Sequence, residues 1–458
     1  MKFINRTQNS VQLEDINMSI PYTEEIEQEI DFSIVQKSRA FQKMVRLGGF
    51  KITHIGEHRL EKNLKHLSDA FVENEKQNVE IASGPHTEVV IRGHFYDSTG
   101  YAKVNRNLAF CLHRHKCVTA IDPVNNQNTL NEVETKVLSL LRRPLGSDAI
   151  LIDSVVPSQA KRDKKGYSIL YTTAEANRVP KHFIDVANTY NELWVTSDFC
   201  KSAFLNSGYD KEISIVHPII NCNLYKRTSS TMQFRPKIDS FKFLSVQTFG
   251  YRKGTDALIR SFCKAFTKKD DVSLVILIAE KSIKQQKKIK KQFDDIISEY
   301  VDSPNICMTF KSVPEYLMPS FYSSFDAFVL TSRGEGFGLP LCEASLCDLP
   351  VLSVNYGGPR DFLNHDNSYL VEIDELENAT EGSTNVYYWD SQQFPKLGDS
   401  FTDNFASAFR DFYANFSAQK EKNNKLKSFI QTKFQGDIVG SWAKNKLDMI
   451  YKNAGATH

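Results

Sequence analysis

The chain has 458 residues, too many for one core of ordinary size, so two or three domains are expected. Apolar residues make up 41% and charged residues 24%, the balance of a globular protein, and a net charge of +2 does not mark a nucleic-acid binder. No run approaches the ~20 apolar residues that span a bilayer, and the start, MKFINRTQNSVQLED, lacks the apolar core of a secretory signal.

Residues 1–85 form an N-terminal extension without a clear rhythm. Within it, 34–47 (IVQKSRAFQKMVRL) puts Ile34, Phe41 and Val45 on one helical face and Arg39, Lys43 and Arg46 opposite. Such a helix either packs on a neighbouring domain or lies on an anionic membrane surface, which would make the protein peripheral there. From about Thr87, short apolar or β-branched runs alternate with helical patterns: EVVIRG, helix 101–115, AILIDS, YSILYT, helix 181–188, ELWVTS, helix 198–207 and ISIVHP. Strands alternating with helices indicate a parallel α/β sheet, because parallel strands need a crossover. The polar stretch 223–240 reads as a linker. The rhythm then resumes with FKFLSVQTF, helix 254–267, VSLVILIA, a basic helix at 282–300, ICMTF, helix 314–324, AFVLTS, LPVLSVN and SYLVEID. Residues 376–400 read as a polar insertion, and helical patterns return over 402–454. Two such halves, 86–222 and 241–435, imply Rossmann-like domains facing across a cleft, with ligands at strand C-terminal ends. The eight cysteines form no CxxC pair, which fits reduced thiols in a cytoplasmic protein rather than a zinc or disulfide framework.

The chemistry concentrates in TSRGEGFGLPLCEASLCDLPVLSVNYGGP, 331–359. A strand gives way to a glycine-rich loop, and Pro340 opens a helix whose free amides attract phosphate. Gly334, Gly336 and Gly338 allow close backbone approach of a ligand, while Glu335 and Glu343 are acceptor-only carboxylates suited to sugar hydroxyls. The plain alternative is a loop followed by an ordinary helix. After FKFLSVQTF come Gly250, Arg252, Lys253 and Gly254, cations placed to neutralise a diphosphate. Leu339 stands where a dinucleotide fingerprint needs its third glycine; GxxxxGK[ST], HExxH and GxSxG do not occur.

These residues resemble a family. FGYRKGTDALIRSF and the stretch from VPEYLMPSFY to NYGGP look like the nucleotide-sugar domain of the retaining GT-B glycosyltransferases of family four, with Glu335 and Glu343 as the Glu-x7-Glu pair. Upstream, GHFYDSTGYAKVNRNLAFCL resembles the family's first strand, loop and helix, and GSWAKNKLDMIYKNA its closing helix (436–458), which crosses back to the first domain. The resemblance covers roughly 87–454. It implies that Glu343 holds the ribose, Glu335 contacts the donor sugar, and Gly336, Phe337, Gly338 and Leu339 meet sugar and diphosphate. It further implies that Lys253 with Arg252 neutralises the leaving diphosphate, that the loop at Val313 receives the base, and that Gly100 admits the first domain's helix to the cleft. His94 and Asp97 contact donor or acceptor, or stabilise a turn; Glu175 positions the acceptor or caps a helix. Gln247 and TTAEANR depart from the family, which often has arginine and histidine there. The implied activity moves a sugar from a nucleoside diphosphate donor to an acceptor hydroxyl, with no cofactor and no metal. The acceptor class stays open among glycans, lipid-linked glycans, proteins and modified nucleic acid. A non-catalytic nucleotide-sugar-binding scaffold, or a phosphorylase or epimerase on the same fold, are the rival readings.

Overall fold

The computed structural model describes residues 87–124, 148–162, 166–229, 241–280, 282–310, 313–380 and 391–455, together with 138, 141–142, 145–146, 231–232 and short strands before residue 55. The helix expected at 34–47 lies outside the described residues, as do 233–240 of the expected linker and 381–390 of the insertion.

Residues 1–72 form a compact unit of their own. Its strands are β1 (Lys2–Asn5), β2 (Val11–Leu13), β3 (Met18–Ile20), β4 (Gln28–Glu29) and β5 (Phe50–His54), paired antiparallel in the order β4-β1-β5 and β2-β3.

Residues 73–458 form the second unit, which holds two six-stranded parallel sheets. The first half runs β6 (Glu88–Gly93), α1 (Gly100–Arg114), β7 (Val118–Pro123), β8 (Ile150–Ser154), β9 (Ser168–Thr172), α2 (Lys181–Ala187), β10 (Glu192–Val195), α3 (Asp198–Leu205) and β11 (Ile213–Ile215). Its sheet order is β11-β10-β9-β8-β6-β7. β7 was absent from the rhythm read in the sequence. It is an edge strand whose apolar set is interrupted by Thr119 and Asp122.

The second half runs β12 (Phe241–Gln247), α4 (Thr255–Ala265), β13 (Val272–Ile278), α5 (Ile283–Ile297), β14 (Asn305–Thr309), a 3-10 turn at Glu315–Leu317, α6 (Met318–Tyr322), β15 (Ala327–Leu330), α7 (Leu339–Leu346), β16 (Val351–Val354) and β17 (Tyr369–Val371). Short strands β18 (Leu376–Asn378) and β19 (Gln393–Pro395) pair antiparallel within the expected insertion, before α8 (Asp399–Ala414), α9 (Phe416–Lys433) and α10 (Gly436–Gly455). The sheet order is β14-β13-β12-β15-β16-β17. All seven residues of β13 are buried, because helices cover both faces of the sheet and the strand can be apolar throughout. One face packs on α7 and α9 through Leu244, Phe328 and Leu341, and the other on α4 and α8 through Phe243, Phe262 and Phe409.

α10 returns to the first half. Cys111 Sγ of α1 donates to Gly436 O at 3.0 Å, Thr87 Oγ1 donates to Asp448 at 2.6 Å, and the rings of Trp442 and Trp194 meet edge-on. In each sheet the strand order reverses once, between β6 and β8 and between β12 and β15. A crevice opens at such a point because successive crossovers leave on opposite faces. The loops that follow β6, β12 and β15 therefore converge on one region.

Candidate active site

The loop from Thr331 to Gly338 joins β15 to α7 and is buried apart from a partly exposed Glu335. Gly338 caps α7 with a left-handed φ of 97°, and Pro340 occupies the first turn, as its missing N–H allows. Gly334 and Gly336 do something other than admit a ligand. A Cβ on Gly334 would lie 1.9 Å from the carbonyl oxygen of Glu175, and one on Gly336 would lie 1.7 Å from Thr173 Oγ1. Both neighbours follow β9, so in this structure the first half itself makes the close approach. Gly336 O accepts from Ser197 Oγ at 2.7 Å and from Thr196 Oγ1 at 3.1 Å, which fixes the loop against the end of β10.

The cation loop between β12 and α4 meets this loop from the side. Lys253 Nζ donates to Glu335 Oε1 at 2.6 Å. Arg252 donates from Nη1 to Gly334 O at 2.6 Å and pairs through Nη2 with Glu175 Oε1 at 3.0 Å. Burial pushes the Glu335 carboxyl up, but Lys253 and Arg252 outweigh it and hold the group below the usual carboxylate range. Lys253 gains no matching rise. Burial, then repulsion from Arg252, keeps its pKa below the usual lysine value despite Glu335 and Glu175. Glu175 is thus an ion-pair partner, and not a helix cap: α2 starts after Pro180 with no side-chain cap.

Arg333 was not singled out in the sequence, yet it holds the two loops in register. Its guanidinium lies 3.9 Å from the Tyr251 ring centroid, donates to Tyr251 O at 2.6 Å and pairs with Asp256 at 3.2 Å. Gln247, where the family often has arginine, ends β12 with 6% exposure, and its amide oxygen and nitrogen have no partner among the described residues.

Glu343 lies in the first turns of α7 and is not open to the cleft. Its Oε1 accepts from Lys103 Nζ of α1 at 2.5 Å and its Oε2 from Tyr322 OH at 2.9 Å, leaving the side chain 4% exposed. Lys103 also donates to Tyr225 OH at 3.0 Å. One turn along α1, Arg106 pairs with Glu315 at 2.8 Å. Lys103, Arg106 and Glu315 escaped sequence reading. The only signal was two cations three residues apart on one helix, a pattern that ordinarily means a solvated edge.

The remaining expected residues are placed as follows. Gly100 is the first residue of α1, and a Cβ there would touch Leu339 Cδ1 at 3.8 Å, so the starts of α1 and α7 face one another. Phe337 packs its ring against Phe362 and Phe434, each at 5.1 Å, which leaves its backbone as the loop-facing part. Val313 is partly buried against the second half's core. Asp97 Oδ1 accepts from Thr99 N at 2.9 Å, and Thr99 caps α1. His94 Nδ1 lies 3.1 Å from Asp97 Oδ2, and its Nε2 lies 3.2 Å from Gln159 Oε1. These contacts match the turn-stabilising alternative. No group of three or more His, Cys, Asp or Glu among the described residues is arranged to hold a metal ion.

Comparisons with known proteins bear on the fold and on the second half of the chain. Residues 229–386 match the model of the glycosyl transferases group 1 family. A probable sucrose-phosphate synthase of Thermosipho melanesiensis is 26% identical over 209 residues, 42% of this chain and 44% of the relative. A sucrose synthase of Solanum tuberosum is 22% identical over 197 residues, 35% of this chain and 24% of the relative. The matches thus span less than half the length of these curated relatives. The crystal structure of the Anabaena protein HepE with UDP and glucose superposes with a TM-score of 0.58 at 14% identity, covering 80% of this chain and all of that one. The chain has the GT-B fold.

Proposed function

We propose that this protein is a glycosyltransferase that moves a sugar from a nucleoside diphosphate donor to an acceptor hydroxyl with retention of configuration, as in family four. The observation that carries this reading is the part-buried Lys253–Glu335 pair, flanked by Arg252, at the point where the second sheet reverses its strand order. The match of residues 229–386 to the group 1 transferases supports it, and HepE, solved with UDP and glucose, points to a uridine nucleotide as the first donor to test.

In this reading the leaving diphosphate develops negative charge beside Lys253 and Arg252, while the free amides at the start of α7 face the same anion. Glu335 stands against the donor sugar, where positive charge grows as the glycosidic bond lengthens. Glu343 holds the ribose, Val313 borders the base, and Gly100 with Phe337, Gly338 and Leu339 line the diphosphate. The residues need supply no separate base, since a leaving phosphate oxygen can take the acceptor proton. Eight free cysteines, six of them buried, suit a cytoplasmic setting, and no helix among the described residues is long and apolar enough to cross a membrane.

Purified protein with a panel of nucleotide sugars, assayed for nucleotide release with and without sugar acceptors, tests the reading. Turnover is expected, and Lys253→Ala should lower it by ~10²–10³, as loss of one stabilising group does. Binding without turnover on any acceptor would favour a scaffold, and wild-type rates in Lys253→Ala would remove the assigned role.

A further inference from the structure

Glu343 is the carboxylate assigned above to the ribose, and its surroundings set a condition on that role. Both its oxygens are engaged and its side chain is 4% exposed, so hydroxyls from the cleft cannot reach it while Lys103 stays in place. A carboxylate has lone pairs for further donors; the obstacle is the lysine stem, not the valence of the oxygens. The two partners differ in kind. Tyr322 is fully buried in the second half's core, close to Glu343 in the same half, and has nowhere to go. Lys103 comes from α1, across the cleft. Among the described residues it donates to Tyr225, whose ring belongs to the second half's core, and to Glu343, but to nothing in its own half. Arg106, one turn on, is held differently. It donates to Phe95 O at 2.7 Å and Asp97 O at 2.8 Å in its own half while it pairs with Glu315 across the cleft. Arg106 is therefore fixed at both ends, and Lys103 is the member free to leave.

From this arrangement we infer that Lys103 competes with the donor's ribose for Glu343, so that nucleotide binding exchanges a cross-cleft ion pair for two hydroxyl hydrogen bonds. Resting on the reading of Glu343 as the ribose partner, the inference makes Lys103 a positioning residue. It keeps Glu343 paired and aimed until the nucleotide arrives, and then withdraws. The exchange also fixes which ligands succeed. A group that offers two adjacent hydroxyls gives Glu343 two donors for the one ammonium it loses, whereas a 2′-deoxyribose gives a single neutral donor in place of a charged one and leaves a buried charge underpaired. Because binding and pairing are linked, the coupling is reciprocal: whatever weakens Lys103–Glu343 strengthens nucleotide binding.

Two measurements test it, with UDP and 2′-deoxy-UDP as probes. In the wild-type protein, residue-resolved amine labelling read by mass spectrometry should show Lys103 protected alone and several-fold more reactive with saturating UDP. Unchanged or deeper protection would overturn the exchange. Titration calorimetry at pH 8 should show that Lys103→Met binds UDP on the order of tenfold more tightly, within the 5–150-fold span usual for coupled sites. It should also show that wild type discriminates against 2′-deoxy-UDP. Weaker or equal binding by a folded Lys103→Met would make Lys103 a direct donor contact and overturn the proposal, and the labelling result stands if that variant does not fold. Wild type that binds neither UDP nor other nucleoside diphosphates would defeat the reading of the site itself, and the exchange with it.

Discussion

The two glutamates eight positions apart in the sequence have different neighbours, and their variants should fail differently. Glu335 faces Lys253 at 2.6 Å in the loop, whereas Glu343 is enclosed between Lys103 and Tyr322. A ribose contact exists equally in the bound donor and the transition state, so Glu343→Gln should chiefly raise the donor KM. A carboxylate beside growing positive charge acts more strongly in the transition state, so Glu335→Gln should chiefly lower kcat. Steady-state kinetics on both, with folding checked by circular dichroism, separate the roles. If the two effects were exchanged, the assignments would exchange with them; if both variants lost only stability, the pair would be structural.

At the scale of elements, the glycine loop is where the halves are pressed together. Gly334→Ala would set a Cβ 1.9 Å from the Glu175 carbonyl oxygen, and backbone cannot rotate aside as a side chain can. Overpacking of this kind costs about 1–3 kcal/mol or more. Gly398, with nothing within 4 Å of its added Cβ, is the control; its alanine variant changes only the N-cap of α8, so its urea midpoint should shift less than that of Gly334→Ala. Equal midpoints for the two variants would show that the Gly334 contact does not form in solution. The strands that frame this loop were legible because their apolar runs are continuous, as in VSLVILI of β13, and the glycines announced a close approach. Which atoms approach was not legible, since Thr173 and Glu175 stand some 160 positions upstream. The helix expected at 314–324 was also only partly right. It opens as a 3-10 turn at Glu315–Leu317 before α6, which places Glu315 to meet Arg106. Lys103 and Arg106 were invisible for a related reason: periodicity tells which face of a helix is apolar, but not whether another half of the molecule will cover its charges.

Across the whole molecule, those covered charges should make cohesion depend on pH. Burial raises Glu315 and Glu335, but Lys103 with Arg106, and Lys253 with Arg252, outweigh it and bring each below the ordinary 4.5. A carboxylate whose folded pKa is depressed stabilises the fold above its unfolded value, and that contribution is lost as pH falls through the folded pKa. Lys103 runs the other way. Burial lowers it, Glu343 and Glu315 more than restore it, and its pKa ends above 10.5. Its contribution is complete below 10.5 and is lost only as pH rises through the folded value. These groups therefore give a plateau across neutral pH, with an acid edge below about 4.5, where each depressed carboxylate adds up to about 1.4 kcal/mol per pH unit to the slope. Replacing Arg106 and Glu315 together by Met and Leu removes one such carboxylate without stranding a buried charge, but it also takes the Arg106 donor from Phe95 O and Asp97 O, so stability at pH 7 should fall by about 1–3 kcal/mol. The acid edge should become shallower. Urea midpoints of both proteins from pH 3 to pH 7 measure it, and parallel acid edges would mean that the Arg106–Glu315 pair across the cleft contributes nothing to the cohesion of the two halves.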